Sequence, residues 1–223
     1  MRRPYWTSGL TALAAATVMV MSWSGSVKAA SLVPNYDFET NVVDSALPDF
    51  WFHGSPTAYV LDDDSDGNGT RSIALLGSTD WRSQGFAVNQ GEELTWSVDY
   101  KVLTGTTGSV RADLRFFDFA DAVGSTFGSF QGENVHPIDD LSLVADDAWH
   151  TLGPFVFNSP VSGQATMFGD IRLSAGLFGA AMTGTVRFDK VQVTRVPEPS
   201  SIGLLATCCL ACGWMVRRVR LRG

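Results

Sequence analysis

Cysteine is nearly absent from this chain of 223 residues: there are three, Cys208, Cys209 and Cys212. None falls between residues 30 and 196, so that region folds without a disulfide. The three share one apolar run, and a Cys-Cys-x-x-Cys group with no fourth ligand and no nearby His does not make a zinc site. They read as small apolar residues of a span. Basic residues are scarce in the middle of the chain. Residues 30–196 hold 9 of the 16 Lys plus Arg but 22 of the 23 Asp plus Glu, a formal charge of −13 inside a chain of −7. That excludes a nucleic-acid binder, which needs a basic footprint. Histidine is limited to His53, His136 and His150, which are scattered. No Gly-x-Ser-x-Gly and no Glu-x-Asp-x-x-Glu occurs, so hydrolase signatures are missing and no enzyme is expected.

What is present begins with two unlike ends. Arg2 and Arg3 precede an uncharged run from Gly9 to Met21, followed by small polar residues and Val27-Lys28-Ala29. That order is the grammar of a secretory signal, with cleavage expected after Ala29. At the other end Pro197-Glu198-Pro199 leads into an uncharged stretch over 200–216, then Arg217, Arg218, Arg220 and Arg222. Seventeen residues at about 1.5 Å each span roughly 25 Å, the lower bound for a transmembrane helix. The arginines would stay cytoplasmic. Pro197 and Pro199 keep the preceding segment extended.

Motif, apolar span and basic tail in that order resemble the PEP-CTERM sorting signal over residues 197–223. The resemblance implies recognition by an exosortase, an integral-membrane cysteine protease or transpeptidase, which cuts near Pro197-Glu198-Pro199. The protein would be membrane-anchored before processing, and then at the cell surface or extracellular.

The domain expected over residues 30–196 shows period-2 alternation and no sustained helical period. Leu94, Trp96, Val98, Tyr100 and Val102 alternate with polar residues. So do Val110, Ala112, Leu114 and Phe116, and so do Met167, Ile171 and Leu173 within 166–175. These are strands with one buried face. Residues 73–76, 85–88, 152–157 and 185–194 are further strand candidates. In the last of these the phase breaks after Phe188, which reads either as a bulge near Asp189 or Lys190 or as one misplaced polar residue. Turn signals separate the runs. Seven or more antiparallel strands predict an all-β sandwich or jelly roll.

The domain opens with Asn35-Tyr36-Asp37-Phe38-Glu39 and closes with Phe188-Asp189-Lys190-Val191. With Trp51 and Gln84-Gly85-Phe86 between them, it resembles jelly-roll carbohydrate-binding modules across residues 32–195. The resemblance implies a structural calcium where the first and last strands meet, with Glu39 and Asp189 among its ligands. Separately, Asp62, Asp64 and Asp66 precede Gly67 at the spacing of the first half of a calcium loop, but the twelfth position is Ile73 and supplies no bidentate carboxylate. That stretch reads as a weak calcium site or a solvated acidic loop.

Sugar binding needs exposed aromatic rings. Trp96 alternates with the apolar face and belongs to the core, and Trp51 and Trp149 fall at the family's structural positions. Trp81, between Asp80 and Arg82, is the remaining platform. Phe117 and Phe119 fall on the face of Arg111, Asp113 and Arg115, opposite Phe116, and would line a cleft. Two readings stand: a surface protein whose jelly roll binds polysaccharide, and a matrix spacer that binds none. A polysaccharide-degrading enzyme is the weaker third.

Overall fold

The computed structural model describes residues 30–40, 48–61, 65, 71–121, 125–161, 163 and 166–196. The expected signal over 1–29, the sorting signal over 197–223 with its span at 200–216, and Asp62, Asp64 and Asp66 lie outside the described residues. Among the described residues no helix is long and apolar enough to cross a membrane.

The described residues form eleven strands: β1 (Trp51–His53), β2 (Thr57–Leu61), β3 (Arg71–Leu75), β4 (Asp80–Ser83), β5 (Phe86–Asn89), β6 (Glu93–Val102), β7 (Val110–Phe117), β8 (Phe130–Ile138), β9 (Trp149–Asn158), β10 (Thr166–Ala175) and β11 (Val186–Arg195). They make two antiparallel sheets. One runs β1-β4-β10-β7-β8, with β5 also paired to β10, and the other runs β2-β3-β11-β6-β9. The expected all-β sandwich is therefore observed.

Alternation is the cause. In β6 the residues Leu94, Trp96, Val98, Tyr100 and Val102 are buried while their odd-numbered neighbours are only half-buried or exposed. Leu114 and Phe116 of β7, Ile171 and Leu173 of β10 and Phe188 of β11 meet them between the sheets. Each fully buried side chain of this size contributes about 1.5–3 kcal/mol. Gly169 sits among them because a Cβ there would come within 2.6 Å of the Phe86 ring.

The opening segment explains its own sequence. Asn35 takes φ 48°, a left-handed conformation that Asn tolerates. Its side chain donates to the carbonyls of Thr40 (2.8 Å) and Asp49 (3.0 Å) and accepts from the Thr40 amide (2.8 Å). Its carbonyl accepts from the Trp51 indole at 3.1 Å. Phe38 is fully buried and its ring lies 4.8 Å from that of Trp51. The segment runs beside β11: Leu32 N–H donates to the Val193 carbonyl and Val191 N–H to the Tyr36 carbonyl. The phase break in β11 is a bulge. Its register with β6 shifts between Asp189 and Gln192, and Lys190 takes φ 45°.

Candidate functional site

The bulge shapes the first candidate site. It leaves Asp189 only 2% exposed. One carboxylate oxygen accepts from the Ser65 amide at 2.8 Å and the other from the Lys190 amide at 2.7 Å. Burial pushes the carboxyl up to about 6, against those hydrogen bonds, which favour the ionised form. Glu39 accepts from the Arg71 amide at 3.1 Å. Asp189 thus holds Ser65, and Glu39 holds the first residue of β3. Among the described residues no group of three or more acidic, His or Cys side chains is arranged to hold a metal.

The second candidate is the outward face of the β1-β4-β10-β7-β8 sheet. Period-2 geometry sends Arg111, Asp113, Arg115 and Phe117 outward from β7, opposite its apolar residues. Strand register then arranges the outward residues in rows. Asp80, Ser174, Arg111 and Pro137 make one row. Phe52, Arg82, Arg172, Asp113 and Val135 make the next. Asp170, Arg115 and Glu133 follow, then Ala87, Phe168, Phe117 and Phe130. Rows lie roughly 7 Å apart, two residues of strand rise.

The middle rows are ionic. Asp113 is fully buried. Arg172 donates to it through Nε (3.0 Å) and Nη2 (2.7 Å). Arg111 Nε lies 2.6 Å from its other oxygen, a close ion pair without hydrogen-bond alignment. Arg111 Nη2 also donates to both oxygens of Glu133, at 3.2 and 3.1 Å. Arg115 forks onto Asp170, with Nε at 2.9 Å. Burial holds the Asp170 carboxyl above the ordinary carboxylate range, against the opposing pull of the Arg115 guanidinium. Arg82 is the most open of the four, with 45% of its side chain exposed and Asp80 at 3.4 Å. Acid and base balance across the band, so it presents fixed hydrogen-bonding groups with little net charge.

Aromatic rings stand at both strand ends of this band. Phe178 lies over the guanidinium groups of Arg111 (4.1 Å) and Arg172 (4.5 Å) and stays 56% exposed. At the other end Phe127 stacks on Phe117 at 4.6 Å, and Phe130 meets Phe117 edge-on at 5.9 Å. Phe130 and Phe119 are more than half exposed, whereas Phe117, packed against Phe127 and Phe130, is buried.

Of the sequence-predicted aromatics, Phe117 stands at this face, Phe119 lies exposed just beyond the end of β7, and Trp81 is not on the face. Trp81 points into the sandwich with no exposure, and its indole donates to the Ala74 carbonyl at 3.0 Å. It belongs to the core because Asp80 and Arg82 take the outward positions on either side. Trp96 and Trp51 are core residues as expected. Arg172, Asp170, Glu133 and Phe178 were missed. The first two occupy outward positions of β10, and that pattern was the available signal.

No protein-family profile and no curated protein matches the chain. Solved structures do. An arabinose-bound α-L-arabinofuranosidase aligns over 74% of this chain and 26% of its own, with 15% identity and a TM-score of 0.52. The chain thus spans about a quarter of that enzyme, and the likeness shows the fold. The CBM22-2 xylan-binding domain from Paenibacillus barcinonensis aligns over 72% of this chain and 97% of its own, with 12% identity and a TM-score of 0.47. A CBM4 structure aligns over 74% and 99%, with 15% identity and a TM-score of 0.40.

Proposed function

We propose that this domain binds polysaccharide on the outward face of its β1-β4-β10-β7-β8 sheet and does not cleave it. The observation that carries the reading is the ionic band fixed between exposed phenylalanines. A sugar ring offers apolar faces and a rim of hydroxyls. Phe119, Phe130 and Phe178 supply surfaces for the faces, while Arg82, Arg115, Arg172 and Glu133 supply donors and acceptors for the rim. Interlocked ion pairs hold those groups in place before a ligand arrives, which lowers the entropy lost on binding. Buried ion pairs contribute little net stability, so their concentration on an outward face points to use rather than to folding. Glycoside cleavage needs one carboxyl free to give a proton, and Asp113 and Asp170 are buried in arginine clasps.

We further propose a structural calcium at the Asp189 corner. Asp189 and Glu39 would hold it, with carbonyl oxygens completing the shell, and it would neutralise a carboxylate that burial disfavours. The acidic stretch containing Asp62, Asp64 and Asp66 adds charge between β2 and β3.

Export and sorting complete the reading. The segment 1–29 directs secretion, and Pro197-Glu198-Pro199 with its span and arginines presents the chain to an exosortase-like enzyme. The molecule that remains is a polysaccharide-associated surface or matrix protein. Deleting Pro197-Glu198-Pro199 in a host carrying that enzyme should leave the C-terminal mass unprocessed, and identical masses with and without the motif refute sorting. Pull-down on a polysaccharide panel tests binding. Retention on none of them overturns the binding reading and leaves a spacer.

A further inference from the structure

Strand register gathers three connections and the exit of β11 at one pole of the sandwich. β11 ends there at Arg195, opposite Leu94 at the start of β6. Glu93 of β6 pairs with Asn158 at the end of β9, and Asn89 at the end of β5 pairs with Thr166 at the start of β10. Phe117 at the end of β7 pairs with Phe130 at the start of β8. The connections are laced together. The Ser159 hydroxyl donates to the Asn89 carbonyl at 2.5 Å and accepts from the Glu92 amide at 3.0 Å.

The domain is held up to its last residue at this pole. Val196 N–H donates to the Glu93 carbonyl at 3.0 Å. Arg195 pairs with Glu92 and donates from Nη2 to the Ala87 carbonyl at 3.1 Å. Only Pro197, Glu198 and Pro199 then separate Val196 from the uncharged stretch 200–216. Four Cα steps reach at most ~14 Å, even when fully extended. If 200–216 spans a membrane, this pole stands no farther than that from the point where the chain enters the bilayer.

What the pole presents suits that position. Val161, between β9 and β10, is 81% exposed, and Phe119 and Phe130 are more than half exposed. Apolar tips of this kind are favoured at the boundary of headgroups and acyl chains. The backbone around Val161 is fixed, with the Gly163 amide donating to Gln90 Oε1 and the Gly91 amide to the Ser159 carbonyl, both at 3.1 Å. Charge gives no pull toward anionic lipid. Glu92, Glu93, Asp118 and Asp121 lie at this pole against Arg195, so an anionic surface repels it and a zwitterionic one does not.

The opposite pole lies roughly 30 Å away, the length of the ten-residue strand β6. Leu143, between β8 and β9, is 82% exposed there, on a connection that also carries Asp139, Asp140, Asp146 and Asp147.

We infer that the pole bearing Val161 and Val196 rests on a zwitterionic bilayer surface while the chain is anchored. The strands then run away from the membrane, and the β1-β4-β10-β7-β8 face stands side-on to it. This rests on the reading of 200–216 as a membrane span and is independent of what the face binds.

The test uses the full chain, with Cys208, Cys209 and Cys212 changed to alanine, in phosphatidylcholine vesicles carrying an energy-acceptor headgroup. A donor dye is attached through Val161→Cys or Leu143→Cys, two positions of nearly equal exposure on opposite poles. The chain should float with the vesicles, and transfer should be several-fold stronger from Val161→Cys than from Leu143→Cys. Flotation with equal transfer from the two positions, or with stronger transfer from Leu143→Cys, overturns the inference while the span reading stands. A full chain that does not float, or equal flotation of a chain that stops at Val196, overturns both.

Discussion

Arg172 and Asp113 are register partners on β10 and β7, and two guanidinium nitrogens of Arg172 hold one oxygen of a carboxylate that has no exposure. Removing one member of a buried pair leaves an uncompensated charge, which costs about 3–5 kcal/mol. Arg172→Met should therefore lower stability by about that much, or roughly 10 °C in melting temperature for a domain of this size. Arg111 remains to hold Asp113, so the lower end of the range is expected. Urea unfolding checks it, and a change under about 1 kcal/mol would show that Arg172 is dispensable to the band.

Asp189 gives stability a pH slope with a definite sign. Its carboxyl stands at about 6 in the fold against an ordinary 3.8 because it is buried. The native state therefore holds the proton more tightly than the unfolded chain does. Below about pH 4 both states are protonated and nothing is lost. As pH rises from about 4 through 6, stability falls by about 3 kcal/mol. Asp189→Asn should remove that slope. Millimolar calcium should raise the melting temperature more at pH 7 than at pH 4. An unchanged slope in Asp189→Asn contradicts this account, as does a chelator without effect on calcium-loaded protein.

His136 acts in the opposite direction. Its ring stacks on Phe155 at 3.3 Å, and its Nε2 lies 3.0 Å from the Asn134 oxygen that also accepts from the Trp96 indole. Burial lowers its pKa below the ordinary 6.5. The folded state then resists protonation. Its contribution is complete above about 6.5 and declines as pH falls through and below that value. His136→Phe keeps the stacking and should flatten this decline. The Asp189 and His136 slopes oppose each other, and the single variants separate them.

Trp81, read from the sequence as an exposed platform, and Phe178, an exposed ring of the outward face, should respond differently to truncation. Trp81→Ala removes a fully buried indole and should cost about 3–5 kcal/mol. Phe178→Ala removes a ring that is 56% exposed and should change stability by no more than about 1 kcal/mol. Thermal melting distinguishes the two, and comparable losses would place Phe178 in the core.

The strands with one clean apolar face were legible. β6, β7 and β10 follow from alternation alone, whereas the phase break in β11 left two readings, a bulge or one misplaced polar residue, and the shifted register decides for the bulge. β8 was not legible. Its sequence Phe130–Ile138 contains Gly132, Asn134, His136 and Pro137, which read as loop residues. It is an edge strand, so Pro137 is tolerated, and its inward Asn134 and His136 are satisfied by Trp96 and Phe155 across the gap. β1 and β2 are short edge strands whose pairing comes from neighbours. At the face itself, Arg111, Asp113, Arg115 and Phe117 were placed correctly by the β7 period. Their partners Arg172, Asp170 and Glu133 were hidden because a single sequence does not say which strands adjoin. Trp81 misled because flanking charges suggest exposure, although in a strand they occupy the opposite face.

Polysaccharide binding by the outward ionic band and its rings can be measured on the protein itself. It is tested most directly by the affinity of the full chain for a polysaccharide retained in pull-down, compared with Arg82→Ala and Phe178→Ala. Both side chains are substantially exposed, so melting temperatures should stay within about 3 °C of wild type. Affinity should fall about tenfold or more in each variant. Wild-type affinity in both variants, with the fold intact, would contradict it.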